Sequence, residues 1–120
     1  MKKILIVDVN EKRAKKIEKK LTKDGFEVVG IQNSIDAFRM AHIEDPDLII
    51  VELNMPGLNG FQLAQIFKED ADLRNTPLIG ISDTDNDEDK QLALDYGFVE
   101  VQGEKEDLKQ KIDYVFQSAG

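Results

Sequence analysis

The 120-residue chain predicts an α/β fold, a doubly wound five-stranded parallel sheet with helices on both faces. Three observations carry this. Short apolar runs alternate five times with stretches of helical periodicity, and parallel strands need such crossover connections. The central run, LIIV at 48–51, is apolar at every position, as a strand covered on both faces requires. At this length a chain buries roughly two-thirds of its unfolded surface, so a core forms without metal or disulfide staples.

The first strand is KILIV (3–7). Asn10 then caps a helix, since its side-chain oxygen can accept from an orphan N–H of the first turn. Ala14, Ile17 and Leu21 recur at the spacing of one helical face, and Gly25 supplies the stop. FEVVGI (26–31) is the second strand. Asn33 or Ser34 opens the next helix, which is expected to bury Ala37, Phe38 and Ala41 and to end at Asp45-Pro46. Beyond the LIIV strand, a helix over about 59–70 turns Leu63, Ala64 and Phe67 inward. PLIGIS (77–82) is the fourth strand, and Asn86 to Tyr96 form a helix stopped by Gly97. That helix begins in DTDNDED, five acids in seven residues, which a helix dipole favours at its positive end. The run lacks the Gly and Glu spacing of a calcium loop. FVEVQ (98–102) is the fifth strand, and Leu108, Ile112, Val115 and Ala119 mark one face of a final helix. No linker or low-complexity tract interrupts the pattern, so residues 1–120 read as a single domain.

Net charge is −8 but unevenly spread: residues 1–23 hold nine Lys or Arg against three acids, residues 24–120 seven against twenty-one. Nucleic-acid binding needs clustered cations to neutralise phosphates, so most of this surface repels DNA and RNA. The basic first helix, with Lys12, Arg13, Lys15, Lys16, Lys19, Lys20 and Lys23, has no interleaved aromatics for stacking on bases. It reads as a solvated outer face or as a surface for an acidic partner. No apolar stretch approaches the roughly 20 residues that cross a bilayer. The start MKKILIVDVNEK lacks the longer apolar region and small-residue cleavage site of a secretory signal. With no Cys, thiolate chemistry is excluded, in keeping with a reducing compartment, and the expected location is the cytoplasm, with no membrane association.

In a doubly wound sheet the site lies at the carboxyl ends of the strands, near the switch in strand order. That rule selects Asp8, Val9 and Asn10, then Glu52, Leu53 and Asn54, then Ser82 and Asp83, then Gly103, Glu104 and Lys105. An apolar run that ends on the carboxylate of Glu52 therefore delivers a charge to the place where chemistry is built. Local readings stand beside these: Asp8 as an acid favoured by a helix N-terminus, Ser82 as a strand-end hydroxyl bonding nearby backbone, and His42 as a surface histidine away from the strand ends.

The segments KILIVD, DPDLIIVELNMPGLNG, TPLIGIS and LALDYG, in that order, resemble the receiver domain of two-component response regulators, over essentially the whole chain. The resemblance implies a flavodoxin-like, receiver-type (βα)5 fold, and a signalling module rather than an enzyme. It also implies a phosphoryl group taken from a partner's phosphohistidine onto an Asp ending the third strand. Mg²⁺ assists there, held by that Asp, by an acidic pair after the first strand and by a backbone carbonyl two residues beyond the acceptor. Glu52 stands at the acceptor position, Asp8 at the first of the acidic pair and Val9 at the second. Asn54 is placed to offer the carbonyl, and Ser82 matches the phosphoryl-binding hydroxyl. The family's Lys falls at Glu104, with Lys105 one residue on, and the switching aromatic falls at Val101.

With acceptor, metal ligand and Lys all changed, the expectation is a pseudo-receiver that acts through protein contacts, without phosphorylation and without a cofactor, binding Mg²⁺ weakly if at all. The family's output face implies a partner on the fourth helix, fifth strand and fifth helix. A second reading keeps phosphotransfer from a histidine kinase or phosphotransfer protein, with Lys105 slipped into place and Glu11 replacing the lost metal ligand. A third is a small nucleotide- or flavin-binding domain on the same sheet, against which stands DVNEK where a glycine-rich phosphate loop would be.

Overall fold

The computed structural model describes residues 1–82, 87–103 and 107–119. Five strands alternate with five helices: β1 Lys3–Val7, α1 Glu11–Lys23, β2 Glu27–Ile31, α2 Ser34–Glu44, β3 Leu48–Glu52, α3 Gly60–Glu69, β4 Leu78–Ile81, α4 Asp87–Asp95, β5 Glu100–Gln102 and α5 Leu108–Ala119. The strands are all parallel, in the order β2-β1-β3-β4-β5, so the chain reverses its direction of travel after β2.

Period-2 alternation sorts the two central strands onto two cores. Leu5, Val7, Ile49 and Val51 face one side, with Ala37 and Ala41 of α2, Leu63, Ala64 and Phe67 of α3, and Ala93 of α4. Ile4, Ile6, Leu48 and Ile50 face the other, with Leu21 of α1 and Ile112 of α5. Each fully buried aliphatic side chain contributes roughly 1.5 to 3 kcal/mol relative to exposure. Phe38 lies only partly buried against the first core, because α2 flanks the sheet and the Phe38 ring lies edge-on to exposed His42, 4.8 Å between centroids.

β2 and β5 begin later than the sequence pattern predicts, and for one reason. Gly25 and Gly97 adopt φ of 96° and 101°, closing α1 and α4 in left-handed turns that glycine takes without strain. The N–H groups of the next residues then bond back to their helices, Phe26 to the Leu21 carbonyl at 3.1 Å and Phe98 to that of Ala93 at 3.0 Å. Both Phe residues thus finish a helix instead of starting a strand. The third strand, by contrast, runs one residue beyond the apolar tetrad and includes Glu52.

Among the described residues, no helix is long and apolar enough to cross a membrane.

Candidate functional site

β1 and β3 are adjacent, with Val7 beside Val51. Asp8 and Glu52 each follow by one residue, so they emerge side by side at the carboxyl edge of the sheet. Neither is at the surface: Asp8 is 0% and Glu52 5% exposed. Two buried carboxylates so placed are strongly unfavourable unless a cation and hydrogen bonds compensate them.

The compensating cation is Arg13. Asn10 caps α1, its side chain accepting from the Arg13 N–H at 3.0 Å, and this holds the first turn of the helix above the strand ends. From there the guanidinium forks onto Asp8, with Nε 2.6 Å from Oδ2 and Nη2 2.8 Å from Oδ1. The same Nη2 lies 2.8 Å from Glu52 Oε1. Backbone donors complete the set: the Asn10 N–H reaches Asp8 Oδ1 at 2.9 Å and the Val9 N–H reaches Glu52 Oε2 at 3.0 Å. All four carboxylate oxygens therefore accept a hydrogen bond.

One guanidinium does not neutralise two carboxylates, and the pair divides the remaining proton. Burial pushes Glu52 up, the Asp8 carboxylate beside it adds to the effect, and together they outweigh the Val9 N–H and Arg13, raising it to about 7. Burial also works to raise Asp8, but the bonds from Arg13, Glu52 and the Asn10 N–H hold it below the usual carboxylate value. Asp8, with the forked Arg13 contact, keeps its charge, and Glu52 is the member that takes up a proton near neutrality.

These residues do not fit a Mg²⁺ ion. Val9 has no ligand atom and is turned outward, 37% exposed, while both oxygens of Asp8 are engaged by a guanidinium that already lies between the acids. Mg²⁺ also demands near-ideal octahedral oxygen geometry, which a pair of acids already filled by Arg13 cannot supply. Glu11, the replacement ligand of the phosphotransfer reading, points away and pairs with Lys15 at 2.9 Å on the exposed face of α1.

The other selected positions that are described lie in or just past β3, β4 and β5. Ser82 is buried just past β4, its N–H donating to the Gln102 carbonyl at 3.1 Å, and Asn54 is exposed just past β3. Val101 is buried in β5, and Lys111 donates to its carbonyl. Asp83, Glu104 and Lys105 lie outside the described residues. His42 sits away from the strand ends, with Nε2 3.1 Å from Asp70 Oδ1.

The loop after Glu52 is held close by α3. A Cβ at Gly60 would lie 2.4 Å from the Glu52 carbonyl oxygen and 2.8 Å from Leu53 Cα, so only glycine lets the helix begin there. Asn59 and Gln62 lock that start with a reciprocal capping box, both bonds at 2.9 Å.

Sequence reasoning grouped Arg13 with the surface cations and missed its role. The signal available was its position, three residues beyond the Asn10 cap and five beyond Asp8, where a long basic side chain can fold back over the strand end.

The Response regulator receiver domain family profile matches residues 4–113. The chain belongs to the response regulator receiver family. This receiver is 36% identical to Protein PilH of Pseudomonas aeruginosa over 101 residues, 80% of the chain and 84% of PilH. It is 33% identical over 94 residues to the response regulator PleD of Caulobacter vibrioides, where it spans only 21% of the longer protein. A response regulator structure from Desulfuromonas acetoxidans superposes with a TM-score of 0.90 at 26% identity, covering 98% of each chain. The receiver fold and a place in two-component signalling follow from these matches.

Proposed function

We propose that this receiver signals through protein contacts without accepting a phosphoryl group. The observation that carries the reading is the Arg13 guanidinium bridging Asp8 and Glu52 at 2.6 to 2.8 Å. In receivers with an Asp acceptor, the resemblance implies a divalent cation between acceptor and acidic pair. Here a side chain of the protein supplies the positive charge in that region. Arg13 and the Val9 N–H fix the Glu52 carboxylate in place, and its longer side chain displaces the oxygens in a reaction that rewards sub-ångström placement.

Output then depends on a surface, not on a chemical step. From α4 to α5 the chain exposes Leu92, Leu94, Tyr96, Val99 and Tyr114, of which the two tyrosines are of the kind that anchors protein interfaces. This supports a partner on α4, β5 and α5.

The test is incubation with a small acyl phosphate donor and Mg²⁺, followed by intact-mass analysis. No phosphoryl adduct is expected. An adduct mapped to Glu52 would overturn the reading and restore the phosphotransfer alternative.

A further inference from the structure

A cavity of about 710 Å³ opens between α1 and the ends of β4 and β5, within the roughly 300–1,000 Å³ range of small-molecule sites. Four cations line it, Lys12, Arg13, Lys16 and Lys20, and no acid does so among the described residues. On a chain of net charge −8 this is an exceptional concentration of one sign.

The arrangement is ordered. Lys12, Lys16 and Lys20 follow one another at i, i+4 and i+8, which stacks them on one helix face at steps of about 6 Å. Like charges at that spacing oppose helix formation, so the row is a cost to the fold unless an anion meets it. The acids of α1 that could relieve it lie elsewhere: Glu11 pairs with Lys15, and Glu18 sits over Gly30 of β2. Among the described residues only Asp107 approaches the row, 4.0 Å from Lys20, and Lys12 and Lys16 have no ion-pair partner there. Beneath the lysines the wall is apolar, formed by Ile17, Leu21, Ile81 and Leu108, while Asn10 and Ser82 add polar atoms.

We propose that this cleft binds a small organic polyanion, bearing two or more phosphate groups on the Lys12, Lys16 and Lys20 row and a compact body on the apolar wall. The short lysine row and the volume of about 710 Å³ match a small molecule. Arg13 lines the cleft and also holds Asp8 and Glu52, so an anion bound there competes for the guanidinium and reaches the carboxylate pair. The site is independent of phosphoryl transfer, and its failure would leave the phosphorylation-independent reading untouched.

The test is calorimetric titration with sodium triphosphate, at low salt and without divalent cations. Three proteins are compared: wild type, Lys12→Gln/Lys16→Gln, and the control Lys19→Gln/Lys23→Gln. The control removes the same charge at the same i, i+4 spacing on the same helix, but from residues that do not line the cleft. Thermal unfolding confirms that each variant is folded. The cleft variant is expected to bind at least about tenfold more weakly and the control to stay within about twofold, the first being a difference of ~1.4 kcal/mol. Equal weakening in both variants would mean diffuse charge attraction and overturn the site, as would the absence of wild-type binding. Tighter binding of a hexaglutamate peptide than of triphosphate would overturn the small-molecule assignment.

Discussion

Arg13 Nη2 lies 2.8 Å from Glu52 Oε1, linking the first turn of α1 to the end of the central strand across 39 residues of sequence. The contact holds two buried acids against one another, since the same guanidinium forks onto Asp8. Replacing Arg13 by Gln leaves both carboxylates without their cation. Removing one partner of a buried ionic group costs about 3 to 5 kcal/mol, and a loss of that order is expected at pH 8. Urea unfolding measures it. At pH 5 the loss should shrink, because Glu52 can then take up a proton; an equal loss at both pH values would show that Arg13 acts by packing alone.

The pH dependence of the wild type follows from the same pair. Glu52 is raised from 4.5 to about 7, so the folded state binds a proton more tightly than the unfolded chain. A group raised on folding contributes its stability below the unfolded value and loses it as pH climbs through the folded one. Between about pH 4.5 and 7 the Glu52 contribution therefore falls, while that of Asp8, lowered on folding, is lost only at more acid pH. Glu52→Gln mimics the protonated form. Relative to wild type it is expected to gain about 1 to 3 kcal/mol between pH 4.5 and 8, most of it before pH 7.5. Urea midpoints at several pH values decide this, and a flat difference would place the titration elsewhere.

The strands and the acids at their ends were legible because they depend on local pattern and on the strand-end rule. Period and length identify LIIV as central, and parallel register then makes Asp8 and Glu52 neighbours. Arg13 was not legible in the same way. Whether a cation in a helix faces solvent or a strand end depends on how the helix is docked, and the seven Lys and Arg residues of α1 look alike along the chain. The starts of β2 and β5 were misplaced because Phe26 and Phe98 are strand formers by type, yet each spends its N–H on the closing turn of the preceding helix. Propensity describes the residue, and the glycine before it decides the use of its backbone.

Gly60 offers a test of the packing beneath the site. A methyl group there meets the Glu52 carbonyl oxygen at 2.4 Å, and neither that backbone nor Leu53 is a flexible side-chain end that could swing aside. Gly60→Ala is expected to destabilise the protein by about 1 to 3 kcal/mol, despite the better helix propensity of Ala. A lower urea midpoint with unchanged slope would fit this; an unchanged or higher midpoint would show that α3 can retreat at no cost.

Building the metal site that the resemblance implies requires more than an Asp at position 52. Glu52→Asp alone shortens the side chain but leaves Arg13 on Asp8 and Val9 without a ligand atom, so Mg²⁺ binding should stay weak. The triple variant Val9→Asp/Arg13→Ala/Glu52→Asp restores the acidic pair and removes the competing cation. Its Mg²⁺ affinity is expected to rise at least about tenfold over the single variant, ~1.4 kcal/mol, by calorimetry. Equal affinities in the two would mean that Arg13 does not compete with the ion.

Glu52 could influence output as a lasting negative charge or merely fill the pocket, and the surrounding geometry favours filling. Its charge is matched at 2.8 Å by Arg13 and is partly removed by a proton near neutral pH. Val101, where the resemblance sets the family's moving aromatic, is buried and has no ring to swing inward or outward in response. A charge can bias two states only by its differential interaction with them, and effectors that do so change affinity about 5- to 150-fold. Glu52→Gln keeps the shape and removes the charge. Its retention of a partner from native-cell lysate, quantified by mass spectrometry, is expected to equal that of wild type, whereas Tyr114→Ala on exposed α5 should weaken retention roughly tenfold if it is an interface anchor. A loss in Glu52→Gln as large as in Tyr114→Ala would show that the Glu52 charge itself is read by the output surface, and the pocket-filling role would fall.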